Sequence, residues 1–437
     1  MTKKEFKNAM CRGLGRCYPA LQNNPEKYRD LVMWACKRDI AYDTQCEGTR
    51  AFYVYRMACV YGDVSPFVKA AAESLIRYKP QMGWKLSHLT ELLCYFAEAG
   101  NVQAKAALDK KYHEIYDLLM VRKRRMQPCF CELWDMERFG VVLAVDWESS
   151  RKILSDFGRL YAEKSYFDDG DFAWLYDIVK HRYAKQLRNA AKEDPYIAMF
   201  LKREKRYEDE CSAYRAKMSE PVNNYVLSRK LARNGTQEEI AAYARAYHEE
   251  QDPQKRREAL IVFRECPYPD DPAPIIEDAL SQNEDLAVSA RMALAEIRHP
   301  AVKQFALEQI KSGKDFMDWF DVILRNYENA DEALLYSLVE KLMLRGDQDG
   351  IHHCGIGIMN MFDDKTGDCP PNNLLPILYE ATPCAECRYD ILRLMGKRRM
   401  LTEEVLTECL DDSNDDIRNY AKKLLARRKK YRGMGKA

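Results

Sequence analysis

His352, His353 and Cys354 are consecutive, Cys369 follows, and Cys384 and Cys387 bracket the dipeptide Ala-Glu. A Cys-x-x-Cys step is the spacing of a zinc knuckle, and thiolate sulfur with imidazole nitrogen is a donor set that zinc takes. The second half of such a site would come from His352 and Cys354, facing Cys384 and Cys387. The competing reading is a set of ordinary buried thiols on two helix pairs, because a structural site usually shows two tight ligand pairs and only one is present. Zinc is the one ion these residues would take, and otherwise no cofactor is expected. A redox Cys-x-x-Cys normally sits beside a βαβ pattern, and none surrounds this one.

A second group is basic. Arg122, Lys123, Arg124 and Arg125 run together ahead of Cys129-Phe-Cys131, and Trp134 follows. Such a run could contact nucleic-acid phosphates, although charge runs are more often solvated loops. The stretch from Lys422 to Ala437 carries eight basic residues and no acidic one. It could bind RNA, a membrane surface or an acidic partner. The competing reading takes Asp411, Asp412, Asp415 and Asp416 with these bases as complements of one helix dipole, each contributing about 0.3–1 kcal/mol. Phe167-Asp-Asp-Gly-Asp171 lacks the spaced ligands and later bidentate glutamate of a calcium loop, so it reads as an acidic turn. There is no GxSxG, no GxxxxGK[ST], no GxGxxG and no HExxH, which argues against the common hydrolase, kinase and nucleotide-binding classes.

Something must position these groups, and the chain of 437 residues is rich in helix signals. Hydrophobic residues make up 47%, enough for a sizeable core, and the 31% of charged residues nearly balance at +1. That balance argues against a dedicated nucleic-acid or membrane-surface protein. The first twenty residues hold lysines without an apolar run, so no secretory signal is expected, and no run approaches a transmembrane span. Fifteen scattered cysteines, an odd number, suit a reducing cytoplasm. Leu86, Leu89, Leu93 and Phe96 sit at helical spacing before Gly100, and Leu108, Tyr112, Ile115 and Leu119 repeat the pattern. Thr44-Gln-Cys-Glu47 and Thr236-Gln-Glu-Glu239 have the form of capping boxes. Pro195 and Pro221 mark breaks in a charged, tyrosine-rich stretch. No alternating strand pattern bounded by hairpin turns is found.

The segment Asn283–Ile310 is two short amphipathic helices split at His299-Pro300. Helices that short are marginal alone and need neighbours. The stretches DPQKRREALIVF from Asp252, NEDLAVSARMAL from Asn283 and NDDIRNYAKKLL from Asn414 share a design. Each opens on a polar turn and then places Ala259, Ala290 or Ala421 four residues before Phe263, Leu294 or Leu425. The first two are 31 residues apart, within the period range of solenoids.

On these stretches the chain resembles HEAT-repeat proteins, over about 236–310 and again over 401–431. The resemblance implies an all-α fold: a right-handed α-solenoid of stacked antiparallel helix pairs. It implies no chemistry. Four regions are expected: degenerate helical repeats over 1–150, charged connecting helices over 151–225, HEAT-like repeats over 226–431 and a basic tail over 432–437. HEAT-like alkylpurine DNA glycosylases carry an aspartate four residues after a tryptophan. Here Arg138 stands four after Trp134, with Glu137 one position short, so the catalytic pattern is not matched. The expectation is a cytoplasmic scaffold that presents a helical-repeat surface to a partner protein. Nucleic-acid binding through Arg122–Arg125 and Trp134 is the alternative, and no membrane partner is expected.

Overall fold

The fold is that of a computed structural model, which describes residues 1–79, 84–121, 140, 143–144, 146–164, 173–202, 230–313, 315–363 and 368–434. Among the described residues all regular structure is helical and no strand occurs. None of these helices is long and apolar enough to cross a membrane. Two compact units form. The first holds 1–217, 384–389 and 401–437, and the second holds 218–383 and 390–400.

The first unit opens with α1 (Lys3–Arg12), α2 (Cys17–Asn23), α3 (Pro25–Ala35), α4 (Thr44–Glu47), α5 (Ala51–Cys59) and α6 (Ser65–Arg77). It continues with α7 (Trp84–Glu98), α8 (Val102–Val121), α9 (Trp147–Glu163) and α10 (Ala173–Glu193). Thr2 and Glu5 form a capping box on α1, and Gly13 ends it in the left-handed region at φ 75°. Leu86, Leu89, Leu93 and Phe96 of α7 are all buried, as are Leu108, Tyr112, Ile115 and Leu119 of α8. The two helices pack on each other and on α6, so the helical spacing in the sequence marks their shared core faces. The break at Pro195 is present: Asp194 accepts from the N–H groups of Tyr196 and Ile197 and starts a new helical segment.

The second unit runs α11 (Gln237–Glu249), α12 (Pro253–Phe263), α13 (Ala273–Asp278), α14 (Glu284–Leu294), α15 (Pro300–Lys311) and α16 (Phe320–Arg325). Then come α17 (Glu332–Arg345), α18 (Gln348–Asp363), α19 (Leu374–Ala381) and α20 (Ala385–Lys397), whose residues up to Tyr389 belong to the first unit and whose later ones belong to the second. Consecutive helices pair, α11 with α12, α13 with α14, α15 with α16 and α17 with α18. Second members also pack on one another, α12 on α14 and α16 on α18. The box at Thr236 and Glu239 forms as the sequence predicts. Asp252 and Asn283 cap α12 and α14. Pro300 occupies the first turn of α15, where its missing N–H costs nothing. Ala290 is fully buried beside Leu294, while Ala259 is only half-buried beside Phe263.

The last helices, α21 (Glu403–Cys409) and α22 (Asp415–Met434), return to the first unit. They meet its first residues at close range. The Ser413 N–H donates to the Gly13 carbonyl at 2.8 Å. Gly15 lies so close to the Glu408 backbone that a Cβ there would overlap its carbonyl oxygen. Arg16 pairs with Glu408 at 2.7 Å and Arg56 with Asp411 at 2.6 Å. Arg388 and Asp412 form a bidentate pair at 2.8 and 3.2 Å with both side chains fully enclosed. Asp411 and Asp412 therefore bind arginines, and only Asp415 and Asp416 stand in the first turn of α22, where acids suit the dipole.

One local expectation is corrected here. The box foreseen at Thr44 and Glu47 is displaced by one residue. Asp43 is the cap of α4, accepting from the N–H groups of Gln45 and Cys46, and the Thr44 hydroxyl turns instead to the Asp39 carboxylate. Glu47 still accepts the Asp43 N–H at 3.1 Å and also pairs with the buried Arg50 at 2.9 Å.

Candidate functional site

Two places in the described residues gather chemistry-bearing groups. One is the first turn of α20, in the first unit. The Cys384 carbonyl accepts the Arg388 N–H at 3.1 Å, so Cys384 is the N-cap and Cys387 lies three residues into the helix. Their sulfur atoms lie within 4.8 Å of each other. The Cys387 thiol donates to the Cys384 sulfur. Its backbone N–H and that of Glu386 do the same, and together they outweigh burial and the nearby Glu47 carboxylate. The Cys384 pKa is lowered to about 6. This is the known effect of a helix N-terminus on a thiol.

The turn is pinned from outside. The Glu47 carboxylate accepts the Ala385 N–H at 2.7 Å, and Asn414 donates to Glu386 at 2.8 Å. Burial works against the Glu47 carboxylate, but Arg50 and the N–H groups of Ala385 and Asp43 hold its pKa below the usual value. Cys384 is 2% exposed, while Cys387 is half-buried.

His352 and Cys354, the other expected zinc ligands, stand on α18 in the second unit. Cys354 is enclosed, and burial, with Asp321 and Asp347, pushes its thiol pKa far up. Exposed His353 meets Asp321 at 3.0 Å. The Cys369 sulfur accepts from Arg398 at 3.2 Å. Arg122, Lys123, Arg124, Arg125 and Trp134 lie outside the described residues, as do Cys129, Cys131, Glu137, Arg138, Pro221 and Phe167–Asp171. Of the basic C-terminal stretch, Lys422, Lys423, Arg427, Lys429 and Lys430 are exposed on α22.

The other place is a groove in the second unit. A cavity of about 730 Å³ runs along the ends of α12, α14, α16 and α18. Ile261, Met292 and Ile356 give it apolar surface, and Met292 and Ile356 are 44% and 39% exposed. Arg264, Arg298 and Arg325 line it with them. A second cavity of similar volume lies against α15, and Arg298, Arg325, Tyr327 and Asp368 line both, so the two adjoin.

No family model, curated protein or solved structure matches this chain. The groove's chemistry is thus read from its own charges. Several of its carboxylates have partners within the unit. Glu265 pairs with Arg233 at 3.1 Å, Asp321 with His353, and Glu328 with Lys303 at 3.0 Å. Asp368 accepts the Asn329 N–H at 2.9 Å and Glu308 accepts from Gln304. Burial raises the Glu296 pKa, Arg325 opposing and Glu265 and Asp321 adding to it. Among the described residues, neither Arg264 nor Lys311 is ion-paired with a carboxylate, and Arg264 reaches only the Met292 sulfur at 2.7 Å.

The groove residues were missed in the sequence, yet a signal was there. Ile261 and Met292 are 31 positions apart, and so are Glu265 and Glu296. The repeat register that aligned Ala259 with Ala290 also aligns the face next to it.

Proposed function

We propose that the chain is a HEAT-like right-handed α-solenoid protein, working in the cytoplasm, whose second unit binds a partner protein. The occupant of the groove is an extended segment that alternates carboxylates with apolar side chains. The carrying observation is that Arg264 and Lys311 line the groove without an ion-paired carboxylate among the described residues, which leaves them to an outside anion. Ile261, Met292 and Ile356 give the apolar half, and methionine adapts to differing side chains. A length shared by two cavities suits a polypeptide better than a compact metabolite. Helical-repeat surfaces bind extended partners in this way, and arginine is enriched among residues that dominate such interfaces.

The test is gentle purification of the full chain, with a nuclease step, beside the variants Arg264→Glu and Ile356→Asp. A nuclease-resistant protein recovered with the native chain and lost with both variants supports groove binding. A chain that purifies alone, or a partner that both variants keep, removes it. A high, nuclease-sensitive 260/280 absorbance ratio would move the assignment to nucleic acid, with the exposed cations of α22 and Arg122–Arg125 as the next residues to change.

A further inference from the structure

We propose that Cys384 and Cys387 are a thiol–disulfide exchange site, closing to an intramolecular disulfide at the expense of a low-molecular-weight disulfide. The geometry points there in three ways. The two sulfurs are within 4.8 Å across one helical turn. Residues three apart on a helix have Cβ atoms about 5–6 Å apart, and a disulfide asks for about 3.5–4.5 Å, so a small adjustment of the first turn closes the bond. Backbone N–H groups of that turn, from Glu386 and Cys387, converge on the Cys384 sulfur. Cys387 is half-buried while Cys384 is enclosed, which separates the more accessible entry sulfur from a resolving one.

A βαβ setting is the usual companion of redox Cys-x-x-Cys pairs. Its physical contribution is a helix N-terminus that stabilises sulfur anions, and α20 supplies one within an all-helical unit.

The exchange balances. The Cys387 thiol passes its proton to Cys384 along their hydrogen bond, and the Cys387 thiolate attacks one sulfur of the external disulfide. A mixed disulfide forms and one small thiolate leaves. Cys384, losing its proton to that thiolate, attacks the Cys387 sulfur and expels the second small thiolate, which takes up a proton from solvent. The protein dithiol is oxidised by two electrons, and one external disulfide is reduced to two thiols. The turn that closes is the one held by Glu47 through the Ala385 N–H and by Asn414 through Glu386. Oxidation therefore acts where the first unit's early and late residues join.

The full chain is equilibrated over a series of reduced-to-oxidised glutathione ratios, acid-quenched, alkylated and mapped by mass spectrometry, with circular dichroism showing that it stays folded. The expected result is a peptide carrying both cysteines that becomes two hydrogens lighter and unalkylated within the range of the glutathione couple. Buried Cys36 should stay unreacted over the same range. In Cys387→Ser the lighter peptide should vanish. Three results would overturn the proposal: both cysteines remaining alkylatable at the most oxidising ratio, Cys384 pairing with any other cysteine instead, or both thiols resisting alkylation until a chelator is added, as metal ligands would.

Discussion

In the second unit, side-chain bonds between helix pairs join residues about thirty positions apart. Tyr247 donates to Asp278, 31 positions on, and Asn326 to the Ile297 carbonyl, 29 positions back. The first unit has bonds of that span too, such as Tyr112 to Asp156, 44 positions on, but others cross most of the chain: 392 positions from Arg16 to Glu408 and 338 from Glu47 to Ala385. The chemistry differs as well. The second unit relies on caps, apolar faces and one partly buried Tyr247–Asp278–Arg256 network. The first unit encloses whole ion pairs, Arg388 with Asp412 and Arg50 with Glu47. A short-range contact is guided by the chain itself. A long-range one must be chosen from many encounters, and a buried charge accepts few alternatives, because an unmatched ion in the interior costs several kcal/mol.

The comparison breaks first at Asp412. Asp412→Ala strands Arg388 and should cost the first unit about 3–5 kcal/mol, read by hydrogen exchange as lost protection in residues 1–60 and 401–430. The second unit should keep its protection, and equal loss in both would merge them into one cooperative body. Next is Gly15→Ala, which forces the Glu408 backbone away and should cost about 1–3 kcal/mol in the same segments, as overpacking does. In the second unit, Tyr247→Phe leaves the Asp278 carboxylate short of a donor and should cost about 1–2 kcal/mol, confined by exchange to α11–α14. Thr236→Ala removes a cap on α11 and should cost about 1 kcal/mol, with fraying of that helix alone.

The last effect is a slope with pH. His88 lies fully buried, with Nε2 3.1 Å from the Ala35 carbonyl, and Asp39 and Arg50 nearby. Burial lowers its pKa, outweighing Asp39 and the Ala35 carbonyl, so the folded chain holds it neutral longer than the unfolded chain does. Below the unfolded value of about 6.5 the unfolded state binds more protons, so the first unit should lose stability as pH falls through that range. Denaturant midpoints measured from pH 7.5 down to 5.5 should show the slope, and His88→Gln should flatten it.

What the sequence revealed follows the same divide. The Thr236–Glu239 box and the His299-Pro300 break depend on residues within four positions, and both are present. The core faces of α7 and α8 were legible because helical spacing is a local property. Glu47 does accept an N–H at the helix start, but nothing in the sequence announces the distant Ala385 N–H that it also accepts. Asp411 and Asp412 looked like dipole complements because nothing nearby announces Arg56 or Arg388. Of the candidate sites, the Cys-x-x-Cys step was visible, but its place on the cap of α20 and the shielding of one sulfur came only from the fold. The groove is built from single residues of four helices, none with a motif of its own.

Gly13, Gly15 and Arg16 also set a schedule. Their partners around Glu408 and Ser413 are synthesised last. At roughly 5–20 residues per second the ribosome needs about 20–80 s to travel the 392 positions from Arg16 to Glu408. Through that interval the opening helices wait with Arg56 unmatched and the surface that will receive α21 and α22 uncovered. The second unit, whose bonds span about thirty positions, can assemble pair by pair as it emerges. A nascent chain stalled just past residue 400 would thus present the paired helices of the second unit with the first unit's opening helices still lacking their last partners, which is the form a chaperone would meet.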